Sequence, residues 1–221
     1  FDVVSSISFA DSDLEYGYDE DWAFPAICAG QECEGWEYNS EDNYLRDRHN
    51  STLDVKLVSR KPLSLLGKNA HWVLGVYARR QDEQLLRQYT YNVGDFSSNF
   101  DTTNQAIYGQ FDTDIASTLS LITGLRLESR KATYNDSDGV AHSVDENLWG
   151  GRVVLQYKLD ESSMVYGLVS RGYKAGGVNS DSSLSAQDRE FDTELMWNFE
   201  AGVKGSWLEQ RLQTRLSAFY Q

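Results

Sequence analysis

The chain has 221 residues, which is enough for one large domain or two small ones. Its 34 acidic and 20 basic residues give a formal net charge of −14, which disfavours a nucleic-acid partner because phosphate binding needs clustered Lys and Arg. Aromatic residues make up 13% of the chain and exclude a disordered protein, and without a run of about 18 apolar residues no membrane-spanning helix is predicted.

Apolar residues recur at every second position, which is the period of a β-strand rather than of a helix. Between Thr118 and Glu128, for example, four leucines fall on one face, and polar residues such as Arg126 fall on the other. The pattern predicts nine half-buried strands, each with one apolar face. In chain order they cover residues 1–10, 50–60, 70–90, 99–113, 117–134, 146–159, 163–173, 191–206 and 211–221.

The connections between these strands alternate in length. Short ones are predicted at residues 61–69, 114–116, 160–162 and 207–210, and longer ones at residues 11–49, 91–98, 135–145 and 174–190. Short turns at one end of a sheet and long loops at the other are typical of an outer-membrane barrel. The predicted fold is therefore all-β, an antiparallel up-and-down transmembrane β-barrel, with residues 11–49 as a long acidic extracellular loop.

A secreted β-sandwich that binds carbohydrate or acts as an adhesin is the main alternative, because its strands show the same alternation. Strand length argues against it, since residues 117–134 would extend about 55–60 Å at roughly 3.3 Å per residue. Aromatic residues near strand ends fit the two girdles of a barrel. They are Trp72, Trp149, Tyr157, Tyr166, Trp197 and Trp207. Bacterial barrels have even strand numbers, so nine strands that stop within a predicted strand, with no signal peptide before them, suggest part of a longer protein.

The polar face of the predicted strands carries charges that cannot all face hydrocarbon. A Lys or Arg at the bilayer midplane costs about 2–4 kcal/mol, so these residues are predicted to face a lumen that holds water or a polar plug. They are Asp54, Lys56, Arg126, Arg152, Lys158, Glu200, Lys204 and Arg215. A narrow barrel would crowd them, so a wide barrel is expected.

Two stretches resemble a known family. Residues 169–179 (VSRGYKAGGVN) resemble the strand-to-loop motif of TonB-dependent receptors, and residues 191–208 (FDTELMWNFEAGVKGSWL) resemble that family's late-barrel signature. Residues 107–110, 119–126 and 211–220 are similar to other strands of the same barrel. The departures are Val178, where the family often has Phe, and Thr193, where it often has Pro.

The resemblance implies part of a barrel of about 22 strands, without its plug domain and terminal strands. It further implies active transport across the outer membrane of a Gram-negative bacterium. The ligand would be a scarce small molecule such as an iron–siderophore complex. The partners would be outer-membrane lipid and the TonB energy-transducing complex, reached through the missing N-terminal plug. No enzymatic activity and no cofactor are implied.

The predicted loop at residues 11–49 has 12 acidic and two basic residues, and three interpretations stay open. It is a solvated surface loop, or it captures ligand, or its Asp11, Asp13, Asp19 or Asp21 hold calcium, although the spacing matches no EF-hand. The candidate ligand-binding aromatics are Tyr16, Tyr18, Trp22, Trp36, Tyr38 and Tyr44. An acidic loop repels anions, so the ligand it contacts is expected to be neutral or cationic.

The cysteines, the histidines and one glycine pair are weaker candidates for functional residues. Cys28 and Cys33 lie five residues apart and are predicted to form a disulfide, with free thiols as the alternative. The three histidines show no metal-ligand spacing. An outer-membrane hydrolase using His49 or His142 ranks lowest, because no hydrolase motif is present. The paired glycines at residues 176–177 are predicted to permit positive φ at a bend.

Overall fold

The computed structural model describes residues 1–19, 40–65, 67–179, 184–185 and 187–221. These residues form twelve strands and no helix, so no described helix could span a membrane. The strands are β1 (Asp2–Asp19), β2 (Glu41–Val58), β3 (Leu63–Leu65), β4 (Lys68–Tyr89), β5 (Phe96–Ala116), β6 (Leu119–Asp136), β7 (Ala141–Lys158), β8 (Ser163–Lys174), β9 (Gly177–Val178), β10 (Glu190–Phe191), β11 (Glu194–Trp207) and β12 (Leu212–Tyr220).

Nine long strands form one open antiparallel sheet. Each pairs with the next in the order β1-β2-β4-β5-β6-β7-β8-β11-β12, while β3 extends the edge of β4 and β9 pairs with β10 alone. The nine predicted strands and their up-and-down order are therefore confirmed. The described residues contain no second long-stranded sheet packed on the first, so the β-sandwich alternative is wrong.

Two predicted boundaries are wrong. β1 and β2 pair without interruption from Asp2–Val58 to Asp19–Glu41, so residues 11–19 and 41–49 are strand and not loop. Backbone pairing extends there without any apolar face to bury, which is why alternation did not signal it. The predicted loop at residues 135–145 contracts to the turn 137–140, where the Asp136 carboxylate accepts the backbone N–H groups of Asp138 (3.1 Å) and Val140 (3.0 Å).

The pairing register gives the sheet two distinct faces. The apolar face carries the odd-numbered residues of β2, β5, β6, β7 and β11 and the even-numbered residues of β4 and β12. The side chains on this face are exposed: Ile107 is 58% exposed, and Leu125 and Val153 are each 50% exposed. The opposite, polar face contains the more buried positions, such as Ala106 and Val154. The apolar side chains therefore do not meet one another across a dry interior in the described part of the chain.

The apolar face has the dimensions and borders of a membrane-crossing band. In β6 it runs from Leu119 to Leu127, close to the 9–11 residues that a tilted strand needs to cross a bilayer. At the long-loop end, the rings of Trp149 and Trp197 meet edge-on with centroids 6.3 Å apart. At the short-turn end, Phe1 and Trp72 lie 6.3 Å apart.

One residue predicted for these girdles is misplaced. Tyr166 pairs with Gly202 in a register that turns its side chain to the polar face, where its hydroxyl donates to Glu200. The Lys204 ammonium lies 4.7 Å from the centroid of the Tyr166 ring. Position near a strand end therefore does not place an aromatic residue in a girdle. Whether its position along the strand is odd or even decides which face of the sheet it occupies.

Candidate ligand-binding site

Three of the predicted ligand-binding aromatics form one cluster on the polar face at the long-loop end of β1 and β2. Tyr16 and Tyr44 are register partners, and their rings stack with centroids 5.0 Å apart and an interplanar angle of 2°. Tyr18 meets both rings edge-on, at 6.0 Å from Tyr16 and 6.2 Å from Tyr44, and is 57% exposed. The tyrosine cluster, Tyr16, Tyr18 and Tyr44, therefore presents aromatic surface to solvent from a rigid strand pair.

An ion pair from neighbouring strands fixes the back of the tyrosine cluster. Arg87 of β4 donates from Nε and Nη2 to the two carboxylate oxygens of Asp42, each at 2.7 Å. The Arg87 guanidinium carbon also lies 5.4 Å from the centroid of the Tyr44 ring and 5.1 Å from that of Tyr89. Tyr44 Oη donates to Asp42 Oδ2 at 2.9 Å. The ring of Tyr44 is thus held at both its face and its hydroxyl.

The electrostatics of this pair follow from its geometry. The bidentate hydrogen bonds from Arg87 lower the pKa of Asp42 below its ordinary value, against the opposing effect of burial. Burial raises the pKa of Tyr44 to about 12, and the hydrogen bond to Asp42 acts in the same direction. At neutral pH Asp42 is therefore ionised and Tyr44 is a neutral hydrogen-bond donor.

Several predicted site residues lie outside the described residues. They are Trp22, Trp36 and Tyr38 of the candidate aromatics, Asp21 of the candidate calcium ligands, and the predicted disulfide pair Cys28 and Cys33. Within the described residues, no group of three or more His, Cys, Asp or Glu side chains is arranged to hold a metal ion. Asp11 instead receives a hydrogen bond from His49 at 2.6 Å, and His142 is paired with Glu190 at 2.8 Å.

All eight charged residues predicted to line a lumen occupy the polar face of the sheet, as the register shows. Several are paired there: Arg126 donates to Glu128 at 2.8 and 2.6 Å, and the Tyr108 hydroxyl donates to Asp54 at 2.6 Å. Other charged residues of this set bond to neutral side chains, as Arg152 donates to the Gln110 side chain. These contacts offset the cost of crowding charges on one surface.

A second polar cluster, which the sequence did not reveal, ties the connection between β8 and β11 to the polar face. Arg189 donates to Asp136, and their side chains are only 2% and 0% exposed. Arg130 donates to Glu146 at 2.6 Å and to the Gly176 carbonyl oxygen at 3.1 Å. These pairs join residues 16 to 53 positions apart in the chain, so no local motif could signal them.

The glycine pair at residues 176–177 acts differently from the prediction. The described glycines with positive φ are Gly67, Gly94 and Gly139, so the pair is not needed for a left-handed bend. A Cβ at Gly176 would lie 2.6 Å from the Phe191 carbonyl oxygen, and one at Gly177 would lie 2.7 Å from the Phe191 ring. The two glycines therefore permit close approach of the returning chain.

Comparisons with known proteins agree with this architecture. A family model described as TonB dependent receptor-like, beta-barrel matches residues 2–221. Among solved structures, the siderophore receptor PiuA of Acinetobacter baumannii is similar, with a TM-score of 0.73 and 14% identity over 98% of this chain and 37% of that one. The ferripyoverdine receptor of the Pseudomonas aeruginosa outer membrane has a TM-score of 0.71 and 18% identity, over 98% of this chain and 30% of that one. The ferric yersiniabactin uptake receptor FyuA of Yersinia pestis has a TM-score of 0.63 and 17% identity, over 81% of this chain and 29% of that one. This chain thus spans about a third of the length of these structures.

Proposed function

Because the chain belongs to the TonB-dependent receptor β-barrel family, we propose that it forms part of the wall of a receptor that imports an iron–siderophore complex across the outer membrane of a Gram-negative bacterium. The observation that carries the proposal is the division of one open sheet into an exposed apolar face and a charged polar face. The likeness to receptors described as taking up or binding iron–siderophore complexes supports the ligand class.

The apolar face would contact lipid acyl chains, and the polar face would line a wet lumen. A Lys or Arg placed at the bilayer midplane costs about 2–4 kcal/mol, so Arg126, Arg152 and Lys204 favour the lumen. In this orientation the tyrosine cluster and Asp42 lie beyond the membrane-crossing band, toward the extracellular end. TonB and its partners would supply energy through a plug contributed by another part of the receptor.

The tyrosine cluster is proposed to contact the ligand. Its rings face the lumen at the extracellular end, and aromatic faces give large contact area at a small entropic cost. Trp22, Trp36 and Tyr38 belong to the segment that joins β1 to β2, and we propose that they add to the same aromatic surface. We also propose that Cys28 and Cys33 form a disulfide, which would restrain that segment.

The charge around the cluster selects the ligand type. The 12 acidic and two basic residues between positions 11 and 49 give this region a net charge of −10. A ferric tricatecholate is anionic and would be repelled, whereas a ferric trihydroxamate is neutral because three hydroxamates balance Fe³⁺. We propose a neutral or cationic ferric siderophore.

Uptake of radioactive iron by cells that lack other siderophore receptors tests this function. The receptor containing this chain should restore uptake from a ferric trihydroxamate more than from a ferric tricatecholate. At trihydroxamate concentrations below saturation, Tyr44→Leu should lower uptake about tenfold, because lost stacking weakens ligand binding, and Tyr44→Phe should lower it less. Tyr166→Leu is the matched control, since Tyr166 shares the polar face but lies far from the cluster. Equal uptake by wild type and Tyr44→Leu, or preference for the tricatecholate, would contradict the proposal.

A further inference from the structure

Arg171 is a charged residue at the long-loop border of the apolar face. In β8 it is the register partner of Gly151 on one side and of Trp197 on the other, so it occupies the apolar face. Its register partner Trp197 belongs to the aromatic border at the long-loop end, and the β7–β8 pairing ends at Arg171, so Arg171 lies at that border of the band. A charge facing lipid is costly, and its position needs a physical reason.

The arginine is held in place by an aromatic neighbour and not by an acid. Its guanidinium carbon lies 3.9 Å from the centroid of the Trp149 ring, and Nη1 donates to the Trp149 carbonyl oxygen. Within the described ranges, Arg171 forms no ion pair, whereas Arg87, Arg126 and Arg189 on the polar face each pair with a carboxylate. Arginine has five N–H donors, so donors remain for an external anion.

An apolar groove on the same face leads to this guanidinium. Its volume is about 870 Å³, and glycines leave its floor low. Its walls include leucine and valine side chains of β4, β6 and β7, and the two tryptophans border its upper end. The residues that define it are Gly109, Gly151, Leu125, Val153, Trp149 and Trp197. Its surface suits hydrocarbon chains, and the Arg171 guanidinium at its upper end suits an anion at the membrane–water interface.

We propose that this groove and Arg171 bind a phosphorylated glycolipid of the outer leaflet, with lipid acyl chains in the groove and a headgroup phosphate on the guanidinium. The inference rests on the proposed function, because it needs the apolar face in a membrane. Arginine pairs with phosphate through parallel, charge-assisted hydrogen bonds, and its long stem lets the charge reach the interface. Stacking on Trp149 orients the guanidinium before the lipid arrives, which reduces the entropy lost on binding.

Titration of the delipidated receptor with lipid A, followed by native mass spectrometry, tests this site. Wild type should bind phosphorylated lipid A more tightly than the same lipid without phosphates. Arg171→Gln should weaken binding of the phosphorylated form roughly tenfold to a hundredfold and leave the dephosphorylated form unchanged. Arg171→Lys should retain part of the preference. Lys131→Gln should behave as wild type, because Lys131 has the same strand parity but lies beyond the groove and pairs with Asp145 at 3.2 Å.

Three results would overturn the inference. They are equal binding of both lipids by wild type, unchanged binding by Arg171→Gln, and full displacement of the lipid by inorganic phosphate, which would indicate a site for free anions. The comparison of the two lipids on wild type does not depend on the folding of any variant. If the receptor imports siderophore normally while the lipid comparison fails, only this inference falls. If the receptor is absent from the outer-membrane fraction, the proposed function falls.

Discussion

The pair of Asp42 and Arg87 should control the order of the tyrosine cluster. The Asp42 side chain is 3% exposed, and among the described residues the Tyr44 hydroxyl is the side-chain partner that remains if Arg87 is removed. A hydrogen bond to a charged group contributes about 1.5–3 kcal/mol, and the partial exposure of Arg87 reduces the benefit of the two bonds. We therefore expect Arg87→Gln to lower the local opening free energy by about 2 kcal/mol. Asp42→Asn should cost about 1–2 kcal/mol, since the Arg87 side chain is 32% exposed and can still be hydrated.

Hydrogen exchange of the amides around Tyr44, measured in the receptor that contains this chain, gives these opening energies. A loss of about 2 kcal/mol corresponds to roughly thirtyfold faster exchange. The double variant should cost less than the sum of the single variants, with a coupling of about 1–2 kcal/mol. Exchange in β11 is the internal control. Additive effects, or unchanged exchange in Arg87→Gln, would refute the assignment of the ion pair as the support of the cluster.

The same pair predicts a pH dependence with a definite sign. The pKa of Asp42 is lowered by Arg87, so the carboxylate contributes stability above its unfolded pKa of about 4 and loses it as the pH falls through the folded value. The coupling should therefore persist from neutral pH to about pH 4 and disappear below it. Coupling that vanishes already near pH 6 would contradict this account.

Three further predictions concern other parts of the sheet. Arg189→Gln should cost about 3 kcal/mol of local stability, because the buried Asp136 carboxylate loses its counter-charge and keeps only hydrogen bonds from Tyr134 and the 138–140 turn, and limited proteolysis should then cut the β8–β11 connection faster. Hydrogen bonds from neighbouring serines lower the pKa of Asp160 to about 2, so Asp160→Asn should remove a stabilisation that is lost between about pH 4 and pH 2, as exchange in the 159–162 turn would show. Gly75→Ala should lower the free energy of unfolding by about 1–3 kcal/mol, because the new Cβ would lie 2.3 Å from a ring carbon of Tyr108. Gly167→Ala has open space around it and should leave the free energy of unfolding unchanged, as thermal unfolding of the two variants would show.

The fold was predictable wherever burial on one face imposed alternation. β6, β7 and β11 carry apolar residues at most alternate positions of their membrane-crossing parts, and the predicted strands overlap them. The parts of β1 and β2 at residues 11–19 and 41–49 were missed because they show no clear apolar alternation, and their pairing depends on the β1–β2 register. Tyr166 was misassigned because proximity to a strand end does not specify the face.

The candidate site was predictable in composition but not in arrangement. The aromatic residues of the acidic region were visible, and three of them do come together. Their support by Arg87 depends on a register between β2 and β4 that joins residues 45 positions apart, which no periodicity reveals. Arg171 could be noticed only once pairing with Gly151 and Trp197 placed it among apolar neighbours, since the alternation around it is irregular in sequence.

The central claim is that one face of this sheet contacts lipid while the other contacts water. Single cysteines at positions 121–128 of β6, in a background with Cys28→Ser and Cys33→Ser, test it directly in intact outer membranes. A membrane-impermeant thiol reagent should label the even-numbered positions, including Arg126→Cys, and spare odd-numbered ones such as Leu125→Cys. Uniform labelling, or labelling of the odd-numbered positions instead, would contradict the account.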